Sequence, residues 1–210
     1  MSERRTRLVN VQRLLAICGI AGPVLYVIVL ITLGALEPNY SHLSQTMSEL
    51  GAVDAKYSIV MNTAGFSLLG LLLIAFAISL DCGIGTSRFS KLGPALLVLL
   101  GLISIMIGIF PCDPDSLEVT TTGKIHTAFV VMAVITMTLA LLAISPRLWG
   151  DDRWRSYVAY TLWTVLMMLI VAAIYRFGVF ESWKGALERI LMAVPLIWME
   201  VMAIRLFRLS

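Results

Sequence analysis

The residues of this 210-residue chain that are able to do chemistry lie in three short stretches between long apolar runs. The first, Glu37 to Gly51, holds His42 and Glu49. The second, Phe110 to Ser116, holds Asp113 and Asp115 and is followed by His126. The third, Arg176 to Arg189, holds Arg176, Glu188 and Arg189. Asp113, His126 and Glu49 offer an acid and base pair for hydrolysis near lipid headgroups, and His42, Asp113 and His126 offer a divalent metal mixed nitrogen and oxygen ligands. No spacing is diagnostic of either, since there is no His-Glu-x-x-His, no second histidine one turn away and no cysteine pair. The same groups also suit a structural hydrogen-bonded network. Glu188 and Arg189 are adjacent on a helix and diverge by about 100°, so each needs a partner elsewhere. Arg189 reaching Asp113 or Glu49 would knit the loops together. Arg176 or Arg189 would otherwise clamp a phosphate or carboxylate in a bidentate manner, or snorkel to headgroups. Both histidines are interfacial rather than facing each other in a bundle, which disfavours a haem, and no motif asks for a cofactor.

The elements that must position these residues are membrane helices. The chain is 59% hydrophobic and 14% charged, with a mean hydropathy of +0.91, outside the range of a water-soluble domain. Uncharged runs occur at Leu14 to Leu36, Ser58 to Leu80, Leu92 to Phe110, Thr127 to Ser145 and Tyr157 to Tyr175, and a sixth span over residues 187–207 is interrupted by Glu200 and Arg205. Each approaches or exceeds the roughly 20 residues a spanning helix needs, and none has the alternation of a barrel strand. The expected fold is all-α, a single six-helix transmembrane domain over residues 1–210. Glu200, an acid inside a span, is a functional candidate on cost alone, although it lies near one end of its helix. The net charge of +3 is spread at segment ends with no basic stripe, which excludes nucleic acid as a partner. Membrane lipids are the expected partners, and a homo-oligomer or another membrane protein is compatible with the apolar helices.

Charge bias predicts both termini on the cytoplasmic side of a cell membrane, because basic residues near span ends are retained there. Arg4, Arg5, Arg7, Arg13, Arg88, Lys91, Arg147, Arg153, Arg155 and Arg208 would then be inside. Glu37, Glu49, Asp54, Asp113, Asp115, Glu118, Glu181 and Glu188 would be outside, with both histidines. Trp149, Trp154 and Trp183 fall where interfacial aromatic anchors are expected. Cys82 and Cys112 lie on opposite sides, so they form no disulfide with each other.

Locally, residues 41–50 read as a short interfacial helix with Ser41 as cap and Gly51 as left-handed stop. Tyr40, Leu43, Met47 and Leu50 would share one face, and His42, Gln45, Thr46 and Glu49 the other. Pro111 and Pro114 make the second stretch a rigid turn. Thr122 is positioned to cap the fourth span and put His126 in its first turn.

Three segments carry a likeness: Ser41 to Gly51 with its Ser-Glu-Leu-Gly end, Phe110-Pro111-Cys112-Asp113 with the downstream His126, and Trp183 to Arg189. Together, in order and spacing, they resemble the membrane family catalogued as domain of unknown function 998. The resemblance raises Glu49, Asp113, His126, Glu188 and Arg189 above equally polar neighbours and implies no particular reaction. The Ser-Glu-Leu-Gly element and a histidine opening a later span are also similar to a six-helix family of lipid-anchor remodelling factors, autophagy modulators and yeast lipid regulators. That likeness implies a role near lipid headgroups.

Overall fold

The computed structural model describes residues 2–85 and 91–210, with side chains from residue 10 onward. Arg88 and the side chains of Arg4, Arg5 and Arg7, counted above in the charge bias, lie outside the described residues. The described residues form an all-helical protein with six helices long and apolar enough to cross a bilayer. They are α1 (Ser2–Leu36), α2 (Ser58–Gly83), α3 (Leu92–Ile109), α4 (Thr121–Trp149), α5 (Tyr157–Arg176) and α6 (Lys184–Leu209). In hydrocarbon every backbone N–H and C=O must be satisfied within its own segment, which is why the apolar runs become helices.

Each helix packs on the next in chain order, and α6 returns to α1, so the six close a ring. Close approach sets the α2–α3 contact. A Cβ on Gly101 would stand 2.6 Å from the carbonyl oxygen of Gly70, so only hydrogen fits there. α2 is interrupted by a π-helical segment, Met61–Ser67. Hydroxyls take carbonyls in this wider turn: Ser67 Oγ donates to Asn62 O at 2.8 Å, and Ser104 Oγ of α3 donates to Phe66 O at 2.7 Å.

Two apolar clusters fill the ring. One, around Phe76, Leu141, Trp154 and Trp198, lies toward the end that carries Arg147. The other, around Tyr26, Met47, Leu50 and Phe66, lies toward the end that carries the loops 37–57, 110–120 and 177–183, called the rim below.

Four local expectations are corrected. Helical structure in the 41–50 segment is confined to a 3-10 turn at Ser48–Gly51. Gly51 is not left-handed, since Gly178 is the glycine with positive φ among the described residues. The cap of α4 is Thr120, whose Oγ1 accepts from Gly123 N at 3.1 Å, so His126 sits in the second turn rather than the first. Trp154 is fully buried and donates through Nε1 to Gly83 O at 3.2 Å, which makes it a core residue, whereas Trp149 and Trp183 are exposed.

Candidate functional site: the rim and the cavity beneath it

The rim begins with the turn that follows α1. Gln45 N donates to Ser41 O at 2.9 Å, one helical turn, but the next two amides leave the ladder. Thr46 N donates to Glu49 Oε1 at 3.1 Å and Met47 N to Glu188 Oε2 of α6 at 2.5 Å. Side-chain carboxylates thus take the amides that would have continued the helix. Glu49 also accepts from Thr46 Oγ1 at 3.0 Å and Ser116 Oγ at 3.2 Å, which ties the first rim loop to the second.

Asp113 is 2% exposed and is held within its own loop. Its carboxylate accepts from Thr120 Oγ1 at 2.6 Å, Thr120 N at 2.7 Å and Val119 N at 2.9 Å. The Thr120 bonds, then the Val119 amide and the charge of Lys124, hold its pKa below the usual carboxylate range against the opposing effect of burial. Cys112 is buried beside it, donates to Ser48 O at 2.9 Å, and is pushed up to about 12 by burial and by the charges of Glu49 and Glu188. His126 is buried and doubly engaged, with Nδ1 2.7 Å from Phe110 O and Nε2 3.1 Å from Ser48 Oγ.

Arg189 does not reach Asp113 or Glu49. Its guanidinium donates to Gln45 O at 2.9 Å, to Gly185 O at 2.7 Å and to the Tyr40 hydroxyl. Tyr40 in turn donates to Thr46 O at 2.8 Å; burial pushes its pKa up to about 12, with Arg189 opposing. His42 is exposed. It stands edge-on to Tyr40 at 5.2 Å between ring centres, and its pKa is lowered by partial burial and by Arg189. Arg176 is exposed at the end of α5. Asp115 and Glu49 share a small polar hollow with Glu37 and Asp54. Among the described residues no three of His, Cys, Asp and Glu are grouped so as to hold a metal ion. The rim therefore brings Glu49, Glu188 and Arg189 onto the first loop and His126 onto Ser48; Asp115 joins Glu49 only across the polar hollow, His42 reaches the group only through Tyr40, and Arg176 is exposed.

Below this rim, inside the ring, is a cavity of about 150 Å³ lined almost wholly by apolar side chains. Its polar groups are few: Glu188, Ser48 and Tyr26 at the rim end, Ser104 midway, and Trp198. Sequence reading noticed Glu188 and the Ser-Glu-Leu-Gly motif but not that Ser48 and Tyr26 join Glu188 at a cavity. Ser48 and His126 are 78 residues apart, and no spacing rule connects them.

The model of a family described as "Protein of unknown function (DUF998)" matches residues 20–205. The chain belongs to this family. The match takes in every rim residue named above and reaches into all six helices of this DUF998 protein. No curated protein matches the chain, and no solved structure does, so the likeness to lipid-anchor remodelling factors finds no support there.

At the opposite end of the bundle is a cluster that the sequence reading passed over as plain loops. Arg147, 2% exposed, donates to Asp81 Oδ1 at 2.7 Å, Asp81 O at 2.5 Å, Ile84 O at 2.7 Å and Gly85 O at 2.9 Å. It caps the carbonyl end of α2 from α4. Asp151 accepts from Gly85 N at 2.9 Å and pairs with Arg153 at 2.8 Å. The Arg153 hydrogen bond, then the Gly85 amide, keep its carboxyl well below the usual range.

Proposed function

We propose that this integral membrane protein binds a single-chain amphiphile, the chain lying in the cavity inside the helix ring and the polar end at the rim. The observation that carries this reading is the cavity of about 150 Å³ with apolar walls and a carboxyl group, that of Glu188, at one end. Dry apolar cavities of about 150 Å³ are known to take a benzene-sized guest, so there is space for one chain segment and none for two. The rim side chains mostly satisfy one another, which makes them a frame for the cavity mouth rather than a free headgroup surface.

The hydrolase reading has one contact in its favour, Ser48 Oγ at 3.1 Å from His126 Nε2, a nucleophile beside a base. Acyl transfer also needs donors aimed at the developing oxyanion. The side-chain donors lining the cavity are already engaged, so the geometry favours binding over turnover. The charge bias supports a rim facing out of the cell, with both termini inside.

Mass spectrometry of lipids extracted from the purified protein tests the binding reading. Wild type is expected to retain a chain-bearing lipid near stoichiometry. Ala133→Phe, which fills the cavity wall, is expected to lose it while staying monodisperse. Equal retention by both proteins, or none by wild type, would sink the idea.

A further inference from the structure

Each polar side chain that lines the cavity can be followed to its hydrogen-bond partner, and together they settle what chemistry the cavity offers a guest. Phe110 O can only accept, so the proton of His126 lies on Nδ1, which is 2.7 Å away. In the neutral imidazole Nε2 is then an acceptor, and the Ser48 hydroxyl 3.1 Å from it must be the donor. Ser48 Oγ is left with lone pairs alone to turn toward the cavity. Tyr26 donates its hydroxyl proton to Met47 Sδ at 3.4 Å, and Ser104 donates to Phe66 O at 2.7 Å. Trp198 donates through Nε1 to Thr161 Oγ1 at 3.0 Å. Glu188 Oε2 already accepts from Met47 N, which leaves Oε1 as the free atom of its carboxyl group.

Ser48, Tyr26 and Ser104 therefore present only lone pairs to the cavity, Trp198 presents no polar atom, and Glu188 presents a carboxyl oxygen. The neighbouring cation does not line the cavity. Arg189 is absent from the cavity wall; its two terminal nitrogens donate to Gln45, Gly185 and Tyr40, and its buried Nε has no partner among the described residues. A guest ending in a phosphate or carboxylate would meet the lone pairs of Ser48, Tyr26 and Ser104 and, with Glu188 ionised, a second anion, and leaving such groups unpaired in an apolar site is costly. A guest ending in O–H or N–H would find acceptors waiting.

We infer that the cavity selects an alkyl chain ending in a hydrogen-bond donor, a primary ammonium or a hydroxyl, over one ending in a carboxylate or a phosphate. This rests on the cavity being the binding site and adds the class of headgroup it takes. Glu188 provides the charge preference for the ammonium; Ser48 and Tyr26 provide acceptors common to both donors.

The test is photocrosslinking of the full chain in detergent with an alkyl amine bearing a diazirine in its chain. Octylamine, octanol, octanoate and octyl phosphate are the unlabelled competitors. The crosslink is expected to map to cavity-lining residues of α4 or α6. The amine and the alcohol are expected to displace the probe at concentrations about tenfold or more below the two anions. Glu188→Gln keeps an oxygen for Met47 N, and it should raise the octylamine requirement by about tenfold while leaving octanol within about twofold. Octanoate or octyl phosphate competing as well as octylamine on wild type would overturn the selectivity while leaving the cavity as the site. Crosslinks that map outside the cavity and yield to none of the four would overturn the cavity reading itself.

Discussion

Asp113 and Cys112 are neighbours with opposite responses to the same small space. The carboxylate of Asp113 is buried yet kept ionised by three donors from Val119 and Thr120, and it fixes the residue that caps α4. Its pKa is lowered on folding. The stabilisation it gives is therefore complete above the ordinary carboxylate range and is lost as pH falls through and below about 4. Thermal unfolding followed between about pH 6 and pH 3 should show a fall in Tm in the acid limb for wild type that is shallower in Asp113→Asn. Identical acid limbs would remove Asp113 from that role. The thiol of Cys112 is buried and its pKa is raised, whereas Cys82 is exposed at the opposite end of the bundle. A membrane-impermeant maleimide at about pH 8 should label Cys82 and spare Cys112. If the rim faces outward, labelling in intact cells should require permeabilisation; Cys82 reacting without it would reverse the proposed orientation. At this scale the sequence named residues but not partners. His126 and Glu188 were visible as polar residues near span ends, but Ser48 and the amide of Met47 are 78 and 141 residues away from them, and only the ring brings them together.

At the scale of elements, length and apolarity were enough to find six spans, because hydrocarbon leaves a helix as the one way to satisfy an open chain. Their ends were harder to read. The segment at 41–50 has helical periodicity, yet Glu49 and Glu188 draw away the amides of Thr46 and Met47, so tertiary acceptors overrule the local pattern. Trp154 is of the residue type of an interfacial anchor but is fully buried and spends its indole N–H on Gly83 O. Arg147, read as a retained charge on the inner side, holds the end of α2 through acceptors on Asp81, Ile84 and Gly85. Removing a buried partner of this kind costs about 3 kcal/mol or more, while an exposed pair is worth about 1 kcal/mol at most. Arg147→Met should therefore lower the apparent Tm in detergent by several degrees, and Arg153→Ala, half exposed in its pair with Asp151, should leave it nearly unchanged. Equal effects from the two would show that Arg147 does not serve as the cap of α2.

At the scale of the molecule, membership of the DUF998 family and six helices long and apolar enough to span a bilayer describe a multi-pass membrane protein. The rim was legible as a place, because three polar stretches interrupt the apolar runs on the same side. The cavity was not legible, since its walls are apolar residues that hydropathy cannot tell from core or lipid-facing ones. Tyr26, Ser48 and Trp198 come from segments far apart in the chain and meet only inside the closed bundle.

That closure has a consequence for biosynthesis. Helices that pack in chain order can assemble pairwise as they emerge, but the seam between α1 and α6 waits for the last of them. Until then Met47 N and Gln45 O lack their partners on α6, and the space that becomes the cavity is an open cleft facing lipid. The cavity is the final product of insertion, and a chain halted before α6 would present its half-built wall to the bilayer and to quality control.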